Sequence, residues 1–382
     1  MSQKLARVSI VAATALLCGA AFAQTSSVTL YGSLDQYLSY MKSSSGKSLT
    51  SLNDGSTLRS RIGFRGVEEL GNGLQAKFQL EHGLSADSGA QADSARFFDR
   101  QAWIGLASPT YGEFRLGRQN GIVFGRGDFI DYSSRTLGSI VNNFGTPSRY
   151  DNDISWQSPR WAGVMLEAHY ALGETTAGSG KQAIYQLGVD YVNGPFRVGY
   201  ADITGKANPN SAVRENVIYR NLYANYDYGQ GKVYLVAIRS NNSTSSTTTS
   251  NNGAAIMSNV GGLVNGTNTA TNPTIQADLQ RFYNIFQISA DYRITPALRL
   301  GALYGVIKDT SDSGRDAKGG SVGAYYSLSK RTTLMAMYES MSNDTNAGFR
   351  PSGSAGVNPN FTGADVNGQR IHGMQVGVIH RF

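Results

Sequence analysis

The 382-residue chain carries 34 basic against 27 acidic residues, a formal net charge of +7. That excess is spread without a basic block, which argues against a nucleic-acid-binding arm, and Cys18 is the only cysteine, so no intrachain disulfide can form. With 45 Gly and 21 Tyr against 9 Pro, and no apolar run long enough for a spanning helix, two readings remain: a secreted all-β protein or a barrel closed in a membrane.

Residues 1–23 read as a signal peptide. Lys4 and Arg7 precede the apolar run Val8 to Leu17, and Ala21-Phe22-Ala23 supplies a small-residue cleavage site before Gln24. Leu17, where a small residue would be needed, argues against lipidation at Cys18. Cleavage leaves a net charge of about +5, and residues 24–382 are read as one domain.

From Val28 to Tyr40 the chain alternates. Val28, Leu30, Leu34, Leu38 and Tyr40 share one face, with Thr29, Tyr31, Ser33, Asp35, Tyr37 and Ser39 on the other, which predicts a strand. Leu58, Ile62 and Phe64 then oppose Arg59, Arg61 and Arg65. A turn at Leu70-Gly71-Asn72-Gly73 leads into Leu74, Ala76, Phe78 and Leu80, which oppose Gln75, Lys77, Gln79 and Glu81. Further predicted strands run over 97–106, 113–118, 154–157, 164–172, 185–191, 196–202, 217–228 and 233–239. The series continues over 282–293, 298–307, 321–328, 332–338 and 370–382, about sixteen strands of membrane-crossing length.

The connections alternate between short turns and long polar spans, at 42–56, 85–94, 119–149, 173–181, 204–215, 240–280, 308–319 and 341–369. Short turns at one rim and long loops at the other are the pattern of a transmembrane antiparallel β-barrel, and a soluble sandwich gives no reason for it. The polar faces repeat Arg, Asp, Glu and Gln, which would be costly as a shared core but suit the wall of a wet lumen. Tyr40, Trp156, Trp161, Tyr170, Tyr191, Tyr200, Tyr228 and Tyr292 near strand ends fit an interfacial belt. The span 240–271 is low in complexity and rich in Ser, Thr and Asn.

One connection differs. Residues 118–150 combine Phe, Tyr, Ile, Leu and Val with Arg126, Asp128, Asp131, Arg135 and Arg149. So apolar a loop is expected to fold back into the cavity, packed on the wall with charges facing a passage.

Several stretches resemble the general porins of β- and related proteobacteria, the group of the neisserial and Burkholderia/Bordetella-type trimeric porins. They are Ser27 to Asp35, Ser60 to Gly66, Glu68 to Leu74, Arg100 to Leu106, Leu116 to Gln119, Arg149 to Asn152 and Gly377 to Phe382. The resemblance implies a sixteen-stranded barrel in the outer membrane of a Gram-negative bacterium, with the third loop (119–149) as a constriction. It also implies a homotrimer among outer-membrane lipid and lipopolysaccharide. Phe382 is similar to the terminal signal read by the outer-membrane barrel assembly machinery. The Pro-Glu-Phe-Gly loop tip of enterobacterial porins is absent.

In such porins, arginines of the second strand, the fourth strand and the end of the third loop face the constriction. By match these are Arg61, Arg100 (or Arg96) and Arg149, with Arg118 beside them; Arg59 and Arg65 share the polar face of Arg61. Asp128 and Asp131, with Glu113 as a third acid, are expected to supply the opposing charge. Charges facing across a narrow aqueous gap bias ion type and orient dipolar solutes, and the arginine excess predicts a weak anion preference.

Gly319-Gly-Ser-Val-Gly323 fits the pattern of a hydrolase nucleophile elbow but leads into an alternating strand instead of a helix. Gly178-Ser-Gly-Lys181 lacks the first Gly and the Ser/Thr of a phosphate loop. His82, His169, His372 and His380 have no metal-ligand spacing, so no enzyme, cofactor or metal is expected. The leading reading is passive diffusion of small hydrophilic solutes and ions, with a solute-specific channel of the same architecture as the alternative. An outer-membrane enzyme lacks a surviving motif, and an adhesin rests only on the 240–280 loop.

Overall fold

In the computed structural model, which describes residues 26–174, 183–205, 216–241, 283–310, 312, 314–355 and 361–382, the alternating segments are strands of one antiparallel sheet. The leader at 1–23, most of the 240–280 span and Gly178–Lys181 lie outside these residues.

Strand β1 (Ser26–Ser43) is long enough to serve two neighbours along one edge. Its first half pairs with β3 (Arg61–Gly71), from Ser26↔Glu68 to Ser33↔Arg61. Its second half pairs with β2 (Ser48–Asp54), a short strand inside the first long connection. The other edge meets β18 (Arg370–Arg381) from Ser33↔Arg381 to Ser43↔Ile371, which closes the sheet on itself. Closure ends in a reciprocal pair of backbone hydrogen bonds between Gly32 and Phe382, 3.1 Å each, and the Phe382 ring fills the space a side chain at residue 32 would need.

Between these ends the chain runs through β4 (Leu74–Ser85), the two-residue β5 (Ala90–Gln91), β6 (Gln101–Ser108), β7 (Gly112–Asn120), β8 (Arg149–Gln157) and β9 (Val164–Ala171). It continues through β10 (Ile184–Asn193), β11 (Phe196–Gly205), β12 (Val217–Asp227), β13 (Lys232–Ser240) and β14 (Tyr283–Arg293). Strands β15 (Leu298–Asp309), β16 (Ala317–Ser327) and β17 (Thr332–Asn343) complete the series. Because β2 and β5 belong to loops, sixteen of the eighteen strands among the described residues build the wall.

The two faces are those the alternation predicts. Val28, Leu34, Leu38, Ile104, Leu187 and Met374 are exposed outward, an arrangement unfavourable in water and suited to acyl chains. Inward-facing Asp35, Gln186, Asp190 and Glu339 are shielded by lumen neighbours.

Several boundaries differ from expectation, each for a local reason. Leu58 lies outside the second wall strand, since the Asp35 carboxylate accepts the backbone N–H groups of Ser56, Thr57 and Leu58 at 2.7–3.1 Å and holds them in a turn. The predicted strand 97–106 starts only at Gln101, because Asp99 turns back to take the Gly83 N–H at 2.6 Å. Arg149 ends the loop expected at 119–149 by joining β8, while Gln119 and Asn120 complete β7.

Candidate functional site

The connection from Gly121 to Ser148 stays inside the barrel. Ile122, Val123, Ile130, Leu137, Ile140, Val141 and Phe144 are each at most 3% exposed, so returning them to water would forfeit much apolar burial. The loop carries two short helices, α1 (Ile122–Gly125) and α2 (Ile140–Phe144), with a 3-10 turn at Gly127–Phe129. Opposite them the wall is cut away. Gly305 and Gly319 each lie 3.0 Å, measured from a would-be Cβ, from Ile140, and the Tyr132 ring occupies the side-chain space of Gly301. Gly301→Val should therefore unseat Tyr132 and give a noisier open channel in single-channel recordings; an unchanged quiet trace would count against this seating.

Polar contacts finish the docking. Asp131 is 1% exposed. Its Oδ1 accepts from the Ser133 N–H and hydroxyl and the Arg135 N–H, each at 2.9 Å, and its Oδ2 from the Ser139 hydroxyl at 2.7 Å and the Gln287 amide at 2.9 Å. The Gln287 carbonyl in turn accepts the Ile140 and Val141 N–H groups that open α2. At the loop's start, Arg126 donates to Glu167 at 3.0 Å and to the carbonyls of Val189 and Tyr200.

With the loop packed on the far wall, the strands from β3 to β8 face it across the lumen, and most of the predicted arginines gather there. Glu81 of β4 organises them. Its Oε1 accepts from Arg100 Nε at 2.6 Å and lies 3.8 Å from Arg61 Nη1, and its Oε2 accepts from the Tyr31 hydroxyl at 2.9 Å. Arg61 also donates to the Arg59 carbonyl at 2.8 Å. Arg118 donates to the Asp99 carbonyl at 2.5 Å and pairs with Asp151, which binds Arg96 at 2.8 Å. The Arg149 guanidinium lies over the Phe124 ring at 4.5 Å, and that of Arg135 of the loop over the same ring at 4.2 Å. Among the described residues, neither Nε, nor Nη2 of Arg149, has a hydrogen-bond acceptor. Arg96 also binds Asp93 at 3.1 Å, so Arg59, Arg61, Arg96, Arg100, Arg118, Arg135 and Arg149 gather around four acids, Glu81, Asp93, Asp99 and Asp151, which leaves the site positive.

The remaining predicted residues lie elsewhere. Arg65 is further down β3, 5.3 Å above the Tyr31 ring. The structure does not bring Glu113 to the cluster: it begins β7 beside a short turn, bound to Lys77 at 2.8 Å and Arg115 at 2.5 Å. Asp128 is exposed on the 3-10 turn, whereas Asp131 is withdrawn from the passage because the loop's own donors consume both its oxygens. The loop accordingly presents Arg135, not a pair of acids, toward the wall arginines.

Sequence reasoning missed Glu81 as the partner of the arginines. Counting back from the 71–73 turn pairs Gly63 with Glu81, which puts the acid one step along the lumen face from Arg61. It also missed the last long connection. The Asn142 amide donates to the carbonyls of Ser352 at 2.6 Å and Gly353 at 3.1 Å, and Asn143 accepts the Ser352 N–H. Ser354 then reaches across to Gly55 and to the Arg59 N–H. This strap ties the inward loop to the arginine wall.

A family model for Gram-negative porins matches residues 9–346. An outer membrane porin protein of Bordetella pertussis is 33% identical over 249 residues, covering 58% of this chain and 61% of that one. The major outer membrane protein P.IB of Neisseria meningitidis serogroup B is 34% identical over 195 residues, covering 50% and 56%. The aligned part thus spans under two thirds of these relatives' length. Among solved structures, an anion-selective porin from Comamonas acidovorans superposes with a TM-score of 0.69 at 22% identity, covering 94% of this chain and all of the other, a likeness of fold.

Proposed function

The chain belongs to the Gram-negative porin family, and on that premise we propose that it is a passive diffusion channel for small hydrophilic solutes and ions across the outer membrane. The arginine cluster facing the docked loop carries this reading. A lumen narrowed by a fixed loop and lined by excess cations lets solutes through by size and raises the local concentration of anions. The protein acts as a homotrimer inserted by the barrel assembly machinery through the strand ending in Phe382, and the preference is weakly anionic.

Planar-bilayer reversal potentials in a salt gradient test this. Wild type should give stepwise conductances with an anion-biased potential. Arg61→Gln should lower the anion-to-cation permeability ratio about two- to five-fold, the Boltzmann weight of up to ~1 kcal/mol for one charge a few ångströms from the ion in water. No steps from well-folded protein would overturn the channel reading, and steps indifferent to Arg61 would overturn the site.

One observation favours a solute-selective variant of the same channel. Arg65 over Tyr31, Arg115 over Trp103 at 4.3 Å and Arg149 over Phe124 form a series of guanidinium–aromatic pairs along the arginine side of the barrel. Saturable flux of one anionic solute would support it, and flux linear in concentration for all solutes of one size would leave only the general pore.

A further inference from the structure

The wall beneath the inward loop at Gly138 contains a side-chain pair that is one hydrogen short. Register places Glu339 of β17 between Ser321 of β16 and Gly373 of β18, and Gln375 of β18 between Met337 of β17 and Ser39 of β1. Glu339 and Gln375 are each 2% exposed. The Gln375 amide occupies the side-chain space of Gly373, and its Nε2 donates to Glu339 Oε1 at 2.8 Å. Only that bond joins the pair. Glu339 Oε2 and Gln375 Oε1 are buried acceptors, and neither has a hydrogen-bond partner among the described residues. Turning the amide round would set its carbonyl against the carboxylate and lose the one bond that exists.

Orphaned buried acceptors are costly, and an ionised Glu339 would also need a cation beside it. Its neighbours supply none. Ser321, Gly373, Gln375, Ser39 and Met41 carry no charge. The titratable groups near it are the phenols of Tyr37 on β1 and Tyr132 on the inward loop, uncharged at neutral pH. Asp35, Asp54 and Asp87, which act on Tyr37, have the sign of a carboxylate themselves. No arginine, lysine or histidine among the described residues pairs with Glu339.

A proton on Oε2 resolves both orphans at once. It turns that oxygen into a donor. Directed at Gln375 Oε1, it closes a ring in which acid and amide each give and accept one hydrogen bond. We infer that Glu339 stays protonated at neutral pH, ring-paired with Gln375, and that this neutral pair positions the inward loop. The Gly138 N–H approaches the Glu339 carboxyl, Ser321 donates to the Gly138 carbonyl at 2.9 Å, and Ser321 and Met337 fill the side-chain space of Gly138. A neutral Glu339 also subtracts nothing from the positive charge of the passage. On ionisation the two facing acceptors lose their shared hydrogen, and water reaches them only if the loop lifts at Gly138.

Infrared difference spectra of wild type against Glu339→Gln in detergent at pH 7 test this, since only a protonated carboxyl gives an acid carbonyl band. Wild type should show one band that Glu339→Gln loses and that Gln375→Met moves to higher frequency by removing the amide. Glu339→Gln should also unfold at a higher temperature than wild type at pH 7, with the gap closing at about pH 4. The folded wild type holds a proton that Glu339 of the unfolded chain releases, so its stability falls as pH rises above the ordinary carboxylate range. The reversal potential of Glu339→Gln at pH 7 should equal that of wild type, and at alkaline pH wild type should turn noisy while the variant stays quiet. A difference spectrum without the acid band, a lower unfolding temperature for Glu339→Gln, or a shifted reversal potential at pH 7 would each overturn the proposal. The spectra and unfolding curves need no conductance, so their failure is distinct from a failure of the channel reading.

Discussion

Asp131→Ala is expected to raise single-channel conductance and make it noisy while leaving the barrel folded. The carboxylate satisfies five donors, three within the loop's own turn, one from the Ser139 side chain and one from Gln287 of the wall. Left unsatisfied in a buried site, such groups cost on the order of 1–3 kcal/mol each, and more when charge is involved. Water can reach them only if the loop lifts. Ser134 and Arg135 hold positive φ angles of 58° and 57° within this turn, a conformation non-glycine residues keep only when surrounding bonds enforce it. Asp131→Asn should be milder, since an amide still accepts through one oxygen. The wall ladder does not pass through Asp131, so the temperature at which the barrel unfolds in detergent should barely move. A quiet trace of wild-type conductance from Asp131→Ala would refute the hub.

Glu81→Gln should act on selectivity and stability together. Glu81 is 4% exposed, and Arg100 beside it is 4% exposed. Removing one partner of a buried ion pair costs roughly 3–5 kcal/mol where no solvent reaches it, less beside a wet lumen. The remaining Arg61, Arg100, Arg118 and Arg149 would then repel one another with one acid fewer among them, lowering the heat needed to unfold the barrel. The anion-to-cation permeability ratio should rise by the change that lowers it for Arg61→Gln, with the sign reversed. Combining Glu81→Gln with Arg100→Gln should recover most of the stability, because the charge left unpaired is itself removed. Unfolding at the wild-type temperature together with an unchanged reversal potential would show that Glu81 does not organise the site.

Much of the barrel was legible in order along the chain. Val28 through Tyr40 alternates with period two, and in the barrel each of its even-numbered apolar residues points outward. The apolar character of residues 118–150 announced a loop that could not lie in solvent, and the barrel interior is where it lies. Arg61 and Arg100 lie against Glu81, and Arg118 against the Asp99 carbonyl and Asp151. Boundaries were less legible. Asp35 captures the backbone at 56–58 and Asp99 captures Gly83, and both contacts join residues that the alternation alone keeps apart.

Sequence by itself determined the strand count, the sense of each face, the alternation of turns and loops, and which loop turns inward. All of these follow from local periodicity and from where apolar side chains can be placed. Only the tertiary structure decided which charges see the passage. Asp131 and Asp128 differ by three positions and carry the same group, yet the first is consumed by Gln287 and Ser139 while the second stays exposed. Glu81 becomes the arginines' counter-ion through strand register, and Ser352 to Ser354 arrive from a loop more than 200 residues away to tie Asn142 to the wall beside Arg59. Whether a charge is a lumen charge depends on which donors lie within hydrogen-bonding reach, and that distance exists only once the sheet has closed.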